Sequence, residues 1–287
     1  MDWQLVTQSL GGGILTGSVY GVAAVGLALV FGVVGVVNFA HGAMIMLGMY
    51  VVWYLHQWTS LDPFLLSLVA AVVGLGLGWF IQYVLVNKVM GTGQEGPLLV
   101  TVGISLIFVA VAEFVFSSNP RSVKPSYGDA TFSVGPAQFS VTRLIAMLAA
   151  VAFTLALHNV LRKTDLGRSI RAVSQNRTAA QLMGLNVATV YAAAMALGAA
   201  SAFFAGGVSA SLLPVTPNAG LSLMLMSFVA AVLGGLGSIR GAFAAGIIVG
   251  LAEGAGALLL EGTLKTLVVF ALFVLVLLLR PEGVFKR

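Results

Sequence analysis

Four polar side chains stand in apolar surroundings: Asn38 and His41 in "GVVGVVNFAHGAMIMLG" (32–48), Glu113 in the run 97–117, and Glu253 in the run 241–260. An ionisable group inside such a run is a functional candidate, because placing it in lipid costs about 3 kcal/mol or more. A histidine and two carboxylates are the residue types of a proton or ion relay. These three are isolated from one another, however, with no carboxylate spacing that would set up a relay. A structural role suits Glu113 near the end of its run. For His41 and Glu253, lining a pathway and satisfying a neighbouring helix are both open readings. Other chemistries lack their residues. No glycine-rich stretch ends in Gly-Lys-Ser/Thr, so the chain has no phosphate cradle for ATP. It has no cysteine, no Cys/His cluster for zinc and no nucleophile elbow, which leaves an enzyme reading without support.

The elements that must position these groups are helices in a membrane. The chain has 287 residues, of which 59% are hydrophobic and 8% charged. Its mean hydropathy is +1.05, far from a water-soluble domain. No formal charge occurs from Trp3 to Leu61. The period-2 alternation of a membrane barrel is absent, so the fold class is all-α, a polytopic integral membrane protein. Apolar runs fall at 5–31, 41–56, 64–86, 97–117, 141–161, 188–213, 220–236, 241–260 and 264–280. Allowing about 20 residues for each crossing gives roughly eight or nine transmembrane helices in one domain, residues 1–287. The runs 41–56 and 220–236 are short and joined to their neighbours by glycine-rich turns, which suits broken or re-entrant helices as readily as full spans. The N-terminus has an acid and no cation before its apolar run, so the first helix is expected to stay in the protein.

Cations set the orientation. Residues 162–187 hold Arg162, Lys163, Arg168, Arg171 and Arg177 against Asp165 alone, which makes this loop cytoplasmic. The tail, with Arg280, Lys286 and Arg287 against Glu282, is expected on the same side. Counting crossings back puts 87–96 inside and 118–140 outside, where Pro, Gly and Ser mark an extracytoplasmic loop. The formal charge of +5 therefore reports topology and points to no nucleic-acid partner.

The chain also contains an internal repeat. Residues 30–48 align without a gap on 232–250, with seven of nineteen positions identical, including the pairs Gly32/Gly234, Gly35/Gly237 and Gly48/Gly250. Each copy reads as a helix, a glycine break with one polar side chain (Asn38 or Arg240), and a second helix rich in small residues. Paired interrupted segments in two related halves point to a transport pathway between them. Close helix packing by small residues explains the same glycines, and both readings stand. The pathway candidates are Asn38, His41 and Gly42 from the first half, with Gly235, Gly237, Ser238 and Glu253 from the second.

The basic segment 162–187 exceeds the two to eight residues that usually join helices. Ile170, Val173, Ala180 and Met183 recur at helical spacing with Arg168, Arg171 and Arg177 on other faces, which predicts a short amphipathic helix. It suits an interfacial helix on anionic lipid, or a docking element whose apolar stripe fills a groove on a cytosolic partner. Within it, "AAQLMG" (Ala179, Ala180 to Gly184) resembles the Ala-Ala-x-x-x-Gly loop of ABC importer permeases, which contacts the ATPase subunit.

The resemblance covers nearly the whole chain. "GLALVFGVVGVVNFAHGAMIMLGMY", "NPRSVKP", "GRSIRAVSQNRTAAQLMGLN", "LGGLGSIRGAFAAGIIVGLAE" and "LLLRPEGVF" occur in the order and spacing of LivH-type permeases, membrane subunits of branched-chain amino-acid ABC importers. Where the family commonly has an acid before the alanine pair, this sequence has Thr178. The resemblance implies alternating access in the cytoplasmic (inner) membrane of a prokaryote. It implies as partners a LivM-like second permease, two cytosolic ATPases that use the ATP, and an extracytoplasmic solute-binding protein. The external loops 57–63, 118–140 and 214–220 become that protein's docking surface, and no cofactor is expected on this chain. The same type of permease for urea, short amides, other amino acids or sugars is the alternative, and an ion-coupled secondary transporter is the further one.

Overall fold

The computed structural model describes residues 3–91, 93, 95–135, 137–260, 262–280 and 283–285. Each apolar run becomes a helix: α1 (Trp3–Val34), α2 (His41–Thr59), α3 (Pro63–Phe80), α4 (Glu95–Phe116), α5 (Val141–Lys163), then α8 (Val187–Ser209), α9 (Ala219–Gly234), α10 (Ile239–Leu259) and α11 (Lys265–Leu279). The axis of α3 continues through a π turn, Ile81–Leu85, and a tighter turn, Val86–Val89. Between α5 and α8 the expected single amphipathic helix is two, α6 (Asp165–Gln175) and α7 (Arg177–Leu182). The loop 118–140 departs from the all-α expectation by folding its end into a hairpin, β1 (Thr131–Val134) and β2 (Ala137–Ser140), paired in antiparallel register with Thr131 opposite Ser140.

Side-chain caps fix several helix starts by accepting backbone N–H groups that have no intrahelical partner. Asp62 accepts from Phe64 at 2.8 Å with Pro63 in the first position of α3, Asn186 accepts from Thr189 at 3.2 Å, and Ser238 accepts from Gly241 at 3.1 Å. By length and composition, six of the described helices can cross a membrane: α1, α3 with its continuation, α4, α5, α8 and α10. Of these, α1 and α8 form the buried centre, whereas α4 exposes Leu99, Leu106, Ile107 and Phe114.

The molecule has two poles. One carries the C-terminus of α5 with α6 and α7, and is rich in arginine; the other carries the hairpin and the start of α3. The runs 41–56 and 220–236, for which the sequence allows broken, re-entrant or full-span helices, are the two that begin midway between these poles. The His41 ring lies 2.9 Å from the Ala23 carbonyl, eleven residues and so about 16 Å before the end of α1. Near the same level the first turn of α9 packs on that of α2, Gly220 against Gly42 and Met46. From there α2 runs to the hairpin pole and α9 to the arginine pole, where residues 283–285 fold back and Val284 donates to the Leu233 carbonyl. The cations Lys286 and Arg287, and Pro281 and Glu282 of the "RPEG" motif, lie outside the described residues.

The repeat survives in three dimensions as paired turns. Gly35 and its aligned Gly237 both hold positive φ, +76° and +95°, a region that favours glycine. The first copy then climbs through Val36–Ala40 to the middle level, while the second turns directly into α10. Antiparallel α1 and α10 touch backbone to backbone at intervals of four residues. A Cβ on Gly17 would lie 2.7 Å from the Gly246 carbonyl oxygen, so only glycine fits.

Candidate functional site

Two groups of cavities lie along α1, one on each side of a packed barrier. On the hairpin side a cavity of about 270 Å³ is lined by α1, α10, the end of α8 and the starts of α5, α9 and α11. Glu253 faces it from α10. Its carboxylate accepts a hydrogen bond from the Tyr20 hydroxyl at 2.9 Å and pairs with Lys265 at 2.8 Å. Arg143, at the start of α5, lines the same cavity and makes no hydrogen bond or ion pair among the described residues. The apolar wall comes from Val19, Leu212, Leu213 and Leu223. A second space of about 410 Å³ shares Gln8, Gly12, Arg143 and Leu212 with the first and reaches hairpin residues Thr131, Gln138 and Phe139, so the two form one route in from that pole.

On the arginine side a cleft of about 630 Å³ lies between α1, α5, α6 and α10. Its charged lining is wholly basic: Arg162, Arg171 and Arg240, with His158 accepting from Arg240 across 2.9 Å. Arg171 donates to the Leu161 carbonyl, satisfying an unpaired acceptor at the C-terminus of α5. Lining of the hairpin-side cavity ends on α1 at Tyr20, and lining of the cleft begins at Leu29. Every residue from Gly21 to Ala28 is buried, so about 12 Å of packed helix separates the two spaces.

The sequence-derived candidates are thus not gathered at one point. Glu253 lines the hairpin-side cavity, and Gly237 and Ser238 line the cleft. Gly235 closes α9 with φ +88° against Gly283. Asn38, His41 and Gly42 line neither space. Asn38 is buried; its amide oxygen accepts from the Ala40 N–H at 3.0 Å and its NH₂ points at the Met195 sulfur at 3.3 Å. The geometry at His41 requires Nε2 to carry the proton and donate to the Ala23 carbonyl. In this conformation these residues hold the helix break together. No cluster of three or more His, Asp or Glu that could hold a metal exists among the described residues.

The basic segment corrects one expectation. Ile170, Val173 and Ala180 are buried against the rest of this chain, so the stripe does not await a partner. Only Met183 of that set is exposed, beside Leu182, which the spacing did not single out. Asn176 caps α7 by accepting from Ala179 at 3.0 Å. Gly184, at φ +84°, ends it: Leu185 N–H donates to the Ala180 carbonyl and Gly184 N–H to that of Gln181. Arg168 pairs with Asp165 within α6, and Arg177 lies 5.7 Å from the Tyr191 ring, so neither reaches outward alone. At the end of α7 the exposed apolar residues are Ala179, Leu182 and Met183.

Sequence reasoning missed Tyr20, Arg143 and Lys265. Both cations sit in the first turn of an apolar helix, where a charge reads as a boundary, and no local pattern connects them to Glu253.

Residues 9–277 match the family described as "Branched-chain amino acid transport system / permease component". The chain is 32% identical to the high-affinity branched-chain amino acid transport system permease protein LivH of Escherichia coli (strain K12), over 98% of this chain and 95% of the relative. It is 30% identical to the corresponding BraD of Pseudomonas aeruginosa, with the same two coverages. Identity to a probable branched-chain amino acid transport permease protein LivH of Methanocaldococcus jannaschii is 27%, over 85% of this chain and 79% of that one. No solved structure matches the chain.

Proposed function

The chain belongs to the permease-component family of branched-chain amino acid transport systems, and from that premise we propose that it carries branched-chain amino acids inward through the cytoplasmic membrane by alternating access. It is a multi-pass membrane subunit of a transport system and not an enzyme. The observation that carries the mechanism is the pair of spaces along α1, separated by a buried barrier. A subunit that opens one space while sealing the other moves solute without ever forming a pore. The hairpin pole is then extracytoplasmic, and the arginine pole and C-terminus are cytoplasmic, in keeping with the positive-inside rule.

The chain has no nucleotide-binding motif, so the energy enters through partners. One of two cytosolic ATPases would seat on the Leu182–Met183 tip, and a LivM-like permease would complete the pathway. A solute-binding protein would dock on the hairpin pole, where Arg121 pins the loop by donating to the Phe116 carbonyl at 2.7 Å and stacking 4.1 Å from the Trp53 ring. ATP can drive the cycle only by binding the ATPases more tightly in one permease state than in the other.

Proteoliposomes holding the chain with its partner permease, ATPases and binding protein test this reading. They should accumulate labelled leucine only when ATP and the ATPases are present. Accumulation without any ATPase would instead establish an ion-coupled transporter, and accumulation of urea or a sugar in place of leucine would change the substrate class.

A further inference from the structure

A cavity that only passes neutral solute needs no charged lining, and charge at membrane depth is costly to keep. The hairpin-side cavity nevertheless presents both signs. Glu253, with its side chain only 17% exposed, is anchored by Tyr20 and Lys265 and gives a fixed negative point. Arg143, exposed at the start of α5, gives a cation that makes no hydrogen bond or ion pair among the described residues, and its guanidinium is suited to grip a carboxylate through two parallel hydrogen bonds. Leu212, Leu213 and Leu223 supply a branched aliphatic wall. The volume, about 270 Å³, lies just under the roughly 300 Å³ at which pockets for drug-sized ligands begin, so it suits a molecule of few heavy atoms.

We infer that this cavity is a subsite for one zwitterionic α-amino acid, with the α-carboxylate on Arg143, the α-ammonium on Glu253 and an aliphatic side chain against the leucines. The inference rests on the permease reading and adds a selectivity filter inside the permease itself. The filter is a matched pair of charges. A ligand without a carboxylate leaves Arg143 unengaged, and one without an ammonium leaves Glu253 to Lys265 and Tyr20 alone, so each analogue forgoes one of the two charged contacts. Lys265 acts as the positioning residue, holding the Glu253 carboxylate in place when the cavity is empty.

The test is equilibrium binding of labelled leucine to the purified permease–ATPase complex in lipid nanodiscs, without binding protein. The competitors are 4-methylpentanoate, which lacks the amino group, and 3-methylbutylamine, which lacks the carboxyl group. The wild-type complex should prefer leucine to both by about tenfold or more. Glu253→Gln, whose amide oxygen still accepts from Tyr20, should lose the preference over 4-methylpentanoate and keep that over 3-methylbutylamine. Arg143→Gln should do the reverse. This crossing of selectivities is what a merely structural role does not produce. Equal weakening toward all three ligands in both variants overturns the subsite. So does a wild-type complex that takes up leucine with ATP yet binds none here, an outcome that leaves the permease reading intact. A wild-type complex that takes up no leucine overturns that reading, and the subsite with it.

Discussion

The two spaces along α1 differ in the charges they present. The hairpin-side cavity combines Glu253 with Arg143 and Lys265, whereas the arginine-side cleft shows only cations among its charged residues. A zwitterion finds both of its partners in the first and only one in the second. The wholly basic cleft attracts a carboxylate but repels the ammonium beside it, so it suits departure better than capture. On the proposed reading, partners for both ends of the solute lie on one side of the barrier alone, while the direction of transport comes from coupling to ATP.

Removing the separation between the two spaces should have the largest effect. Gly246→Leu pushes a side chain into the backbone of Gly21 and Gly17, where no neighbouring side chain can swing aside. Such overpacking costs about 1–3 kcal/mol or more, and the expected result is loss of the assembled complex on size-exclusion chromatography. The same substitution at Gly76, where a Cβ meets nothing within 4 Å, should leave assembly intact.

A second pair of variants separates solute binding from coupling. Leu182→Asp with Met183→Asp places charge on the exposed tip, where an interface anchor is worth about 2 kcal/mol or more. ATP-driven leucine uptake should collapse while leucine binding to the permease stays as in wild type. Retention of full uptake would remove the tip from the ATPase interface.

The charge comparison itself is sharpened by neutralising one cation on each side. Arg143→Gln should weaken leucine binding about tenfold, or about 1.4 kcal/mol. Arg162→Gln in the cleft should change it less than about twofold. Equal effects would mean that the two spaces do not divide the work.

The smallest effect is expected at the hairpin pole. The Tyr127 hydroxyl donates to Asp62 at 2.5 Å, tying the loop 118–140 to the start of α3. Burial, reinforced by the Asp62 carboxylate, pushes the Tyr127 hydroxyl well above its usual range. A group whose folded pKa is raised contributes stability that is complete below its ordinary value of 10.0 and is lost only as pH rises through the higher folded value. The tie should therefore hold unchanged across the neutral range. Tyr127→Phe should cost about 1 kcal/mol, read as faster amide exchange in the loop at every neutral pH.

Much of this architecture is legible in the amino-acid sequence, because membrane helices must satisfy their own backbone and so announce themselves by length and hydropathy. The short runs beginning near His41 and Ala219 read as broken, re-entrant or full spans alike, and only the glycine turns at Gly35 and at Gly235 and Gly237, all at positive φ, mark one end of each. The function of the stripe Ile170, Val173 and Ala180 is not legible. Periodicity identifies an apolar face but not what covers it, and here the chain's own core does. For Asn38 and His41, lining a pathway and holding the helix break are both readings of the sequence, and local pattern does not choose between them. Their partners here come from distant helices, the Met195 sulfur for Asn38 and the Ala23 carbonyl for His41 Nε2, which no spacing along the chain records. The meeting of Arg143, Tyr20, Glu253 and Lys265 depends on four separate helices, so no spacing along the chain records it.

On the proposed mechanism the two spaces open alternately, and the lack of cysteine makes this directly measurable. Thr16→Cys reports on the hairpin-side cavity and Leu29→Cys on the cleft. Labelling rates with a small thiol reagent should be compared in the assembled complex without nucleotide and with the ATPases trapped in the ATP-bound state. The account predicts that trapping raises one rate and lowers the other. If both rates rise together, or neither responds, the two spaces do not alternate and the account is contradicted.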